Sequence, residues 1–206
     1  MGIHRFLCSK RIKIKTTLYS SFTYPDHKKI KDTLRAHVID YPHGAVMGGG
    51  VRTDWKHFLN NRMGDVDTLL CWIEEQLPSA SCDLANMSRD SLEYFNKVGW
   101  DWPILAGGQG GFSPLFFDIV TCWGIDYKEK TGLIKHNHFP YNLAFTYYVH
   151  APENCSPLII VGVEIKVSDG QLIVFHGASM HWVPTQGEPE RTVIAGNAHY
   201  NDKGRL

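Results

Sequence analysis

From Leu143 onward the chain repeats one arrangement: a short run of β-branched and aromatic residues, then a turn signal. Leu143 to His150 reads LAFTYYVH and is followed by Ala151-Pro152-Glu153-Asn154. Leu158 to Val163 and Lys166 to Val167 read as further short strands. Ser168-Asp169-Gly170 marks a turn before Gln171 to Phe175 (QLIVF), and Arg191 opens RTVIAGN. Several short strands broken by frequent turns favour a β-sandwich or barrel.

Three histidines sit on this framework. His136 and His138 are one residue apart, and a strand sends side chains at i and i+2 to the same face, so both can point into one cavity while Asn137 points away. His181 follows the QLIVF strand, and Arg191 comes ten positions later. Together they form a set able to hold a metal ion and an acidic co-substrate. The set has to be weighed against chance, because the chain has 11 histidines and an isolated pair in a β-rich segment is more often surface or packing. His150, His176 and His199 are the competing ligands; each is read as surface or as support to the site.

The stretch Phe175-His176-Gly177-Ala178-Ser179-Met180-His181-Trp182-Val183-Pro184, continued by Glu190-Arg191-Thr192-Val193-Ile194-Ala195-Gly196-Asn197, resembles the distal half of the 2-oxoglutarate and Fe(II)-dependent oxygenases, in their prolyl-hydroxylase-like branch. Cys122-Trp123, His136-Asn137-His138 and Phe145-Thr146-Tyr147-Tyr148-Val149 resemble its proximal half, so the likeness spans about residues 116 to 197. It implies a mainly β fold with α elements: a double-stranded β-helix, or cupin-like jelly roll, with Fe(II) near one open end. The implied ligands are His136, His138 and His181. Most such oxygenases carry a carboxylate where this chain has His138, which leaves the site one unit more positive. Asp126 or Glu164 is the fallback third ligand.

In that family Arg191 stands where a cation binds the distal carboxylate of 2-oxoglutarate, a task suited to a bidentate fork. The hydroxyl often found two residues later is replaced by Val193, so Thr192, Thr146 or Tyr148 is expected to supply it. The implied activity is hydroxylation of an unidentified substrate (a protein side chain, a metabolite or a nucleobase) using O2 and 2-oxoglutarate, with release of succinate and CO2. Trp123, Tyr147, Tyr148 and Trp182 are candidates to line the cavity. Two other readings stay open: a cupin-like three-histidine dioxygenase that does not use 2-oxoglutarate, and a non-catalytic jelly-roll binding module.

Length and composition fit this picture. The 206 residues, 43% hydrophobic, can bury a full core, and 1–206 reads as one domain: strand and helical support over 1–115, a metal-binding jelly-roll core over 116–200. Lys plus Arg and Asp plus Glu balance at 21 each, so bulk charge predicts no nucleic-acid footprint. The five widely spaced cysteines include no CxxC pair and fit a reducing cytoplasm. No apolar run follows the basic N-terminus as a secretory signal would require, and none is long enough to cross a membrane.

Outside the core, Lys10 to Leu18 alternates like an exposed strand, and residues 24 to 98 read mainly as helices that buttress the jelly roll. Asp26 is expected to cap the first through His37, with Ile30 and Leu34 inward. Val66, Leu69, Leu70, Ile73 and Leu77 form the stripe of the second, ending at Pro78, and Ser88 caps a third. The glycine clusters at 48–50 and 107–111 lack the Lys-Ser/Thr of a phosphate loop and read as turns or a lid.

Overall fold

The computed structural model describes residues 17–84, 116–128, 130–185 and 190–201. Two antiparallel sheets face each other. The larger contains β1 (Tyr19–Thr23), β2 (Gly44–Ala45), β3 (Val51–Arg52), β4 (Phe116–Tyr127), β6 (Leu143–His150), β9 (Gln171–His176) and β11 (Arg191–Asn201), in the order β1-β9-β6-β11-β4-β3-β2. The smaller contains β5 (Leu133–His136), β7 (Leu158–Ile160), β8 (Val163–Ile165) and β10 (His181–Val183), in the order β5-β10-β7-β8. From β4 to β11 the chain crosses back and forth between the sheets, which is the winding of a jelly roll.

Strand alternation gives the large sheet two different faces. Trp123, Ile125, Tyr127, Ala144, Tyr148, Ile173, Phe175 and Val193 point inward with Leu158, Ile160 and Val183 of the small sheet. Cys122, Phe145, Tyr147, Leu172, Val174 and Ile194 point outward and would be wet without a cover. Helices α1 (His27–Ile39), α2 (His57–Asn60) and α3 (Gly64–Leu84) supply the cover. In α1 the apolar residues Ile30, Leu34 and Val38 recur every four positions and are buried. The helix comes so close to β4 that a Cβ on Gly124 would lie 2.5 Å from Val38 Cγ2.

Several local expectations are corrected. Asp26 stands at the N-cap of α1 but makes no capping bond; its carboxylate pairs with Lys29 Nζ at 2.7 Å instead. Helix α3 runs through Pro78, because the buried stripe continues at Ala80 and Ser81 and that packing outweighs the one hydrogen bond proline forfeits. Residues 158–163 are not one strand: Val161 and Gly162, both with positive φ, turn the chain between β7 and β8. The region 24–98 also holds the hairpin β2–β3, joined through Gly48 and Gly49 at φ of 122° and 100°. The strand expected over Lys10 to Leu18, the helix from Ser88 and the cluster at 107–111 lie outside the described residues, except Thr17 and Leu18, which are not in a strand. No helix among the described residues is long and apolar enough to cross a membrane.

Candidate metal centre and its two cavities

His136 ends β5 and His181 begins β10, and the two are direct partners in the β5–β10 pairing. Residues opposite each other in an antiparallel pair share a face, so the register alone brings these imidazoles together. His138 follows just past the strand end, held by its backbone N–H donating to the Gly177 carbonyl at 2.7 Å. Gly177 lies so close to this turn that a Cβ there would be 2.1 Å from the Tyr141 carbonyl oxygen. The ligand-capable nitrogens of the three histidines all lie within 4.8 Å of one another.

Their orientation is set by the backbone. His136 Nδ1 is 2.8 Å from the Ile134 carbonyl and His181 Nδ1 is 3.0 Å from the Ser179 carbonyl. A carbonyl only accepts, so in both rings Nδ1 carries the hydrogen and Nε2 is left with its lone pair. His138 Nε2 lies 3.2 Å from His181 Nε2. Burial pushes His138 down to about 3 and His181 down to about 4, and the neighbouring histidines add to the effect. Both are therefore neutral bases at ordinary pH, the form that binds metal. Trp123 stacks on His138 with ring centroids 5.9 Å apart, and Phe175 packs 4.6 Å from His181.

Two cavities adjoin the cluster. The inner one, about 30 Å³, leads between the sheets to Arg191 and is also lined by Tyr127, Thr146, Tyr148 and Leu158. Arg191 is only 3% exposed. Its Nη1 donates to the Ser156 carbonyl at 2.5 Å, its Cζ stands 4.4 Å over the Tyr127 ring, and its Nε is buried with no partner. No carboxylate pairs with it among the described residues. A buried cation without a counter-ion is costly, and an anionic ligand would offset that cost. The outer cavity is larger, about 580 Å³, and its lining includes Arg52, Trp55, Trp123 and Asn197 together with His136 and His138.

The other candidate residues divide as follows. Thr146 and Tyr148 line the inner cavity, whereas Thr192 faces away and donates to Asp126 at 3.2 Å. The fallback ligands are both elsewhere: Asp126 is on the outward face of β4, paired with Lys128 at 2.7 Å, and Glu164 is exposed on the edge strand β8. Tyr147 packs under the helices near Trp72, and Trp182 lies beneath Lys135, so of the four aromatic candidates only Trp123 and Tyr148 line either cavity. His150 contacts Lys31, exposed His176 accepts from the Ala178 N–H, and His199 contacts Asn142; none joins the cluster. Sequence reasoning missed Tyr127, Asn197, Arg52 and Trp55. The first two lie on matched strands at inward positions, a signal that alternation carried.

No family model and no curated protein matches the sequence. The structure does resemble solved proteins. A Pseudomonas putida prolyl-4-hydroxylase superposes with a TM-score of 0.55 at 15% identity, over 89% of this chain and 92% of its own. The fold of this chain is similar to that of 2OG-Fe(II) oxygenases. A viral collagen prolyl hydroxylase from Paramecium Bursaria Chlorella virus-1, solved as a 2OG complex, gives a TM-score of 0.55 at 13% identity, over 88% and 96%. An oxidoreductase of the 2OG-Fe(II) oxygenase family from Burkholderia pseudomallei gives 0.53 at 12%, over 88% and 85%. The fold is thus similar to that of these proteins over most of the chain, at very low sequence identity.

Proposed function

We propose that this chain is a 2-oxoglutarate and Fe(II)-dependent dioxygenase that hydroxylates a C–H bond of a second substrate. The observation carrying this reading is the placement of Arg191: a buried guanidinium that pairs with no carboxylate among the described residues and lines the same cavity as a cluster of three imidazoles. The donor set fits the iron, since imidazole suits Fe(II) and three protein ligands leave coordination positions free. The orphaned Nε of Arg191 fits the far carboxylate of a diacid.

When bound, iron with 2-oxoglutarate supplies coupled oxidative decarboxylation: 2-oxoglutarate and O2 become succinate and CO2, and one oxygen atom enters the substrate C–H bond. The chain's own work is orientation and exclusion. His136, His138 and His181 would hold the metal, and the Ile134 and Ser179 carbonyls fix the rings of the first and last. Arg191 anchors the diacid, with the hydroxyls of Tyr127, Tyr148 and Thr146 as the neutral donors around it. Burial raises the phenols of Tyr127 and Tyr148, keeping both protonated and able to donate. Ile125, Leu158 and Val193 supply apolar walls that keep bulk water from the site.

A second reading has one observation in its favour. The inner cavity, about 30 Å³, is smaller than a five-carbon diacid, so seating 2-oxoglutarate requires lining side chains to shift. A three-histidine metal dioxygenase that does not use 2-oxoglutarate needs no such shift. One assay separates the readings: iron content, then succinate formation on adding 2-oxoglutarate and ascorbate. Iron with succinate supports the first reading, iron without succinate the second. Neither would point to a non-catalytic jelly roll.

A further inference from the structure

Four arginines fall among the described residues, and two of them are paired: Arg35 with Glu190, and Arg62 with Asp67 and Glu74. The two without a carboxylate are Arg191 and Arg52, and they line the two cavities that flank the histidines. Arg52 belongs to β3, at the edge of the large sheet, and its Nη1 donates to the Thr53 carbonyl at 2.8 Å. Its guanidinium lies over Trp55, with Cζ 4.0 Å from the ring centroid. A cation stacked on indole keeps its donor edge in the guanidinium plane, and that planar fork matches a carboxylate.

Aromatic surface connects this cation to the candidate metal centre. Trp55 meets Trp123 edge to face at 4.7 Å, and Trp123 stacks on His138 at 5.9 Å. Val46, Met47, Ile125 and Leu133 complete apolar walls, so the outer cavity combines one arginine with apolar and aromatic lining and also includes His136 and His138. Its volume, about 580 Å³, falls within the range of roughly 300–1,000 Å³ usual for small-molecule sites.

We propose that the outer cavity binds the primary substrate, and that this substrate is a small carboxylic acid with a flat or hydrocarbon body, its carboxylate on Arg52 and its body along Trp55 and Trp123. This rests on the oxygenase reading only in naming the ligand a substrate. The binding preference follows from the cavity itself. An acid lying along the two indoles presents a carbon to the His138 side, and the distance between Arg52 and the histidines selects which carbon.

The test uses the full chain, free of metal and of 2-oxoglutarate, titrated with benzoate, 3-phenylpropionate and hexanoate, each beside its primary amide, following tryptophan fluorescence. At least one acid should bind at least about tenfold more tightly than its amide, the scale of a charge-assisted hydrogen-bond pair. Arg52→Gln should abolish the preference, and Arg35→Gln, which removes a paired arginine on α1, should keep it. The wild-type acid-to-amide comparison needs no variant to fold. Equal binding of acid and amide, binding of neither, or a preference that survives in Arg52→Gln overturns the proposal. Acid preference in a protein that forms no succinate would uphold this binding site and sink the oxygenase reading; succinate formation without acid preference does the reverse.

Discussion

His138 and His181 face each other through Nε2 at 3.2 Å, two ring nitrogens of neutral imidazoles with a third histidine beside them. His181 Nε2 keeps its lone pair and can accept from His138 Nε2–H in the metal-free protein; with that proton gone, the three imidazoles lie close enough to share one cation, which is the physical case for a metal here. Replacing His136, His138 or His181 singly with Ala should therefore weaken Fe(II) binding by more than the roughly 10- to 100-fold typical of losing a supporting group around a metal. Equilibrium dialysis against Fe(II) under anaerobic conditions measures it. His199→Ala should leave affinity within a few fold. Full occupancy in His138→Ala would show that the three-histidine set is wrong.

The same histidines make the metal-free protein sensitive to acid. Both are held neutral, His138 at about 3 and His181 at about 4, whereas in the unfolded chain each takes a proton near the ordinary value of 6.5. Between 6.5 and those values the unfolded state binds more protons, so stability is full above about pH 6.5 and falls as pH drops toward 4 and 3. His57 and His150, also lowered by burial, add to the trend. Urea midpoints from pH 7 to pH 5, above most carboxylate titration, should decline for the wild type and decline less for His181→Asn. Parallel slopes would contradict the assignment. Saturating metal should flatten the wild-type curve by holding the histidines unprotonated.

Gly124 and Val38 give a stability test away from the site. A Cβ at Gly124 would lie 2.5 to 3.0 Å from three side-chain atoms of Val38, and both residues are buried. Gly124→Ala should therefore destabilise by about 1–3 kcal/mol through overpacking of α1 on β4. Val38→Ala should recover part of that loss in the double variant, because the two positions share one space. Denaturant unfolding of the four proteins reads the coupling, and strict additivity would mean that the helix simply moves away.

How much of this was legible depends on which force decides each element. Inward alternation carried Leu143–His150 into β6 with the expected bounds, and it put Thr146 and Tyr148 toward the cavity, because burial on one face leaves a period-two trace. The pairing of His136 with His181 was not legible from the local sequence, since cross-strand register leaves no local mark. Val161 hid the β7–β8 turn: a β-branched residue at φ 50° breaks the usual turn chemistry and is tolerated only under tertiary constraint. Pro78 misled in the opposite direction, ending a helix on paper that packing carries on to Leu84. Arg52 and Trp55 were invisible as site residues because the short pairing of β3 with β4, not any motif, brings them to the cavity.

Arg191 allows a sharp test of the co-substrate. It is buried with no carboxylate partner among the described residues, so in the loaded protein its guanidinium and the far carboxylate of 2-oxoglutarate would neutralise each other out of water. Truncating the arginine leaves that carboxylate buried and unpaired, at a cost of roughly 2 to 5 kcal/mol in binding. That corresponds to a weakening of at least about thirtyfold. Arg191→Gln should show it when 2-oxoglutarate is titrated into the anaerobic Fe(II) protein and the metal-to-ligand absorption band is followed. Iron affinity should persist, because Arg191 is outside the imidazole cluster. Arg191→Lys should recover only part of the loss, since a point charge lacks the planar fork that can bind carboxylate through two parallel bonds. Tyr127→Phe removes a single neutral donor beside the guanidinium and should weaken binding by a smaller factor. An unchanged midpoint in Arg191→Gln, with iron still bound, would mean that the diacid is not held at this arginine and would favour the three-histidine enzyme that works without it.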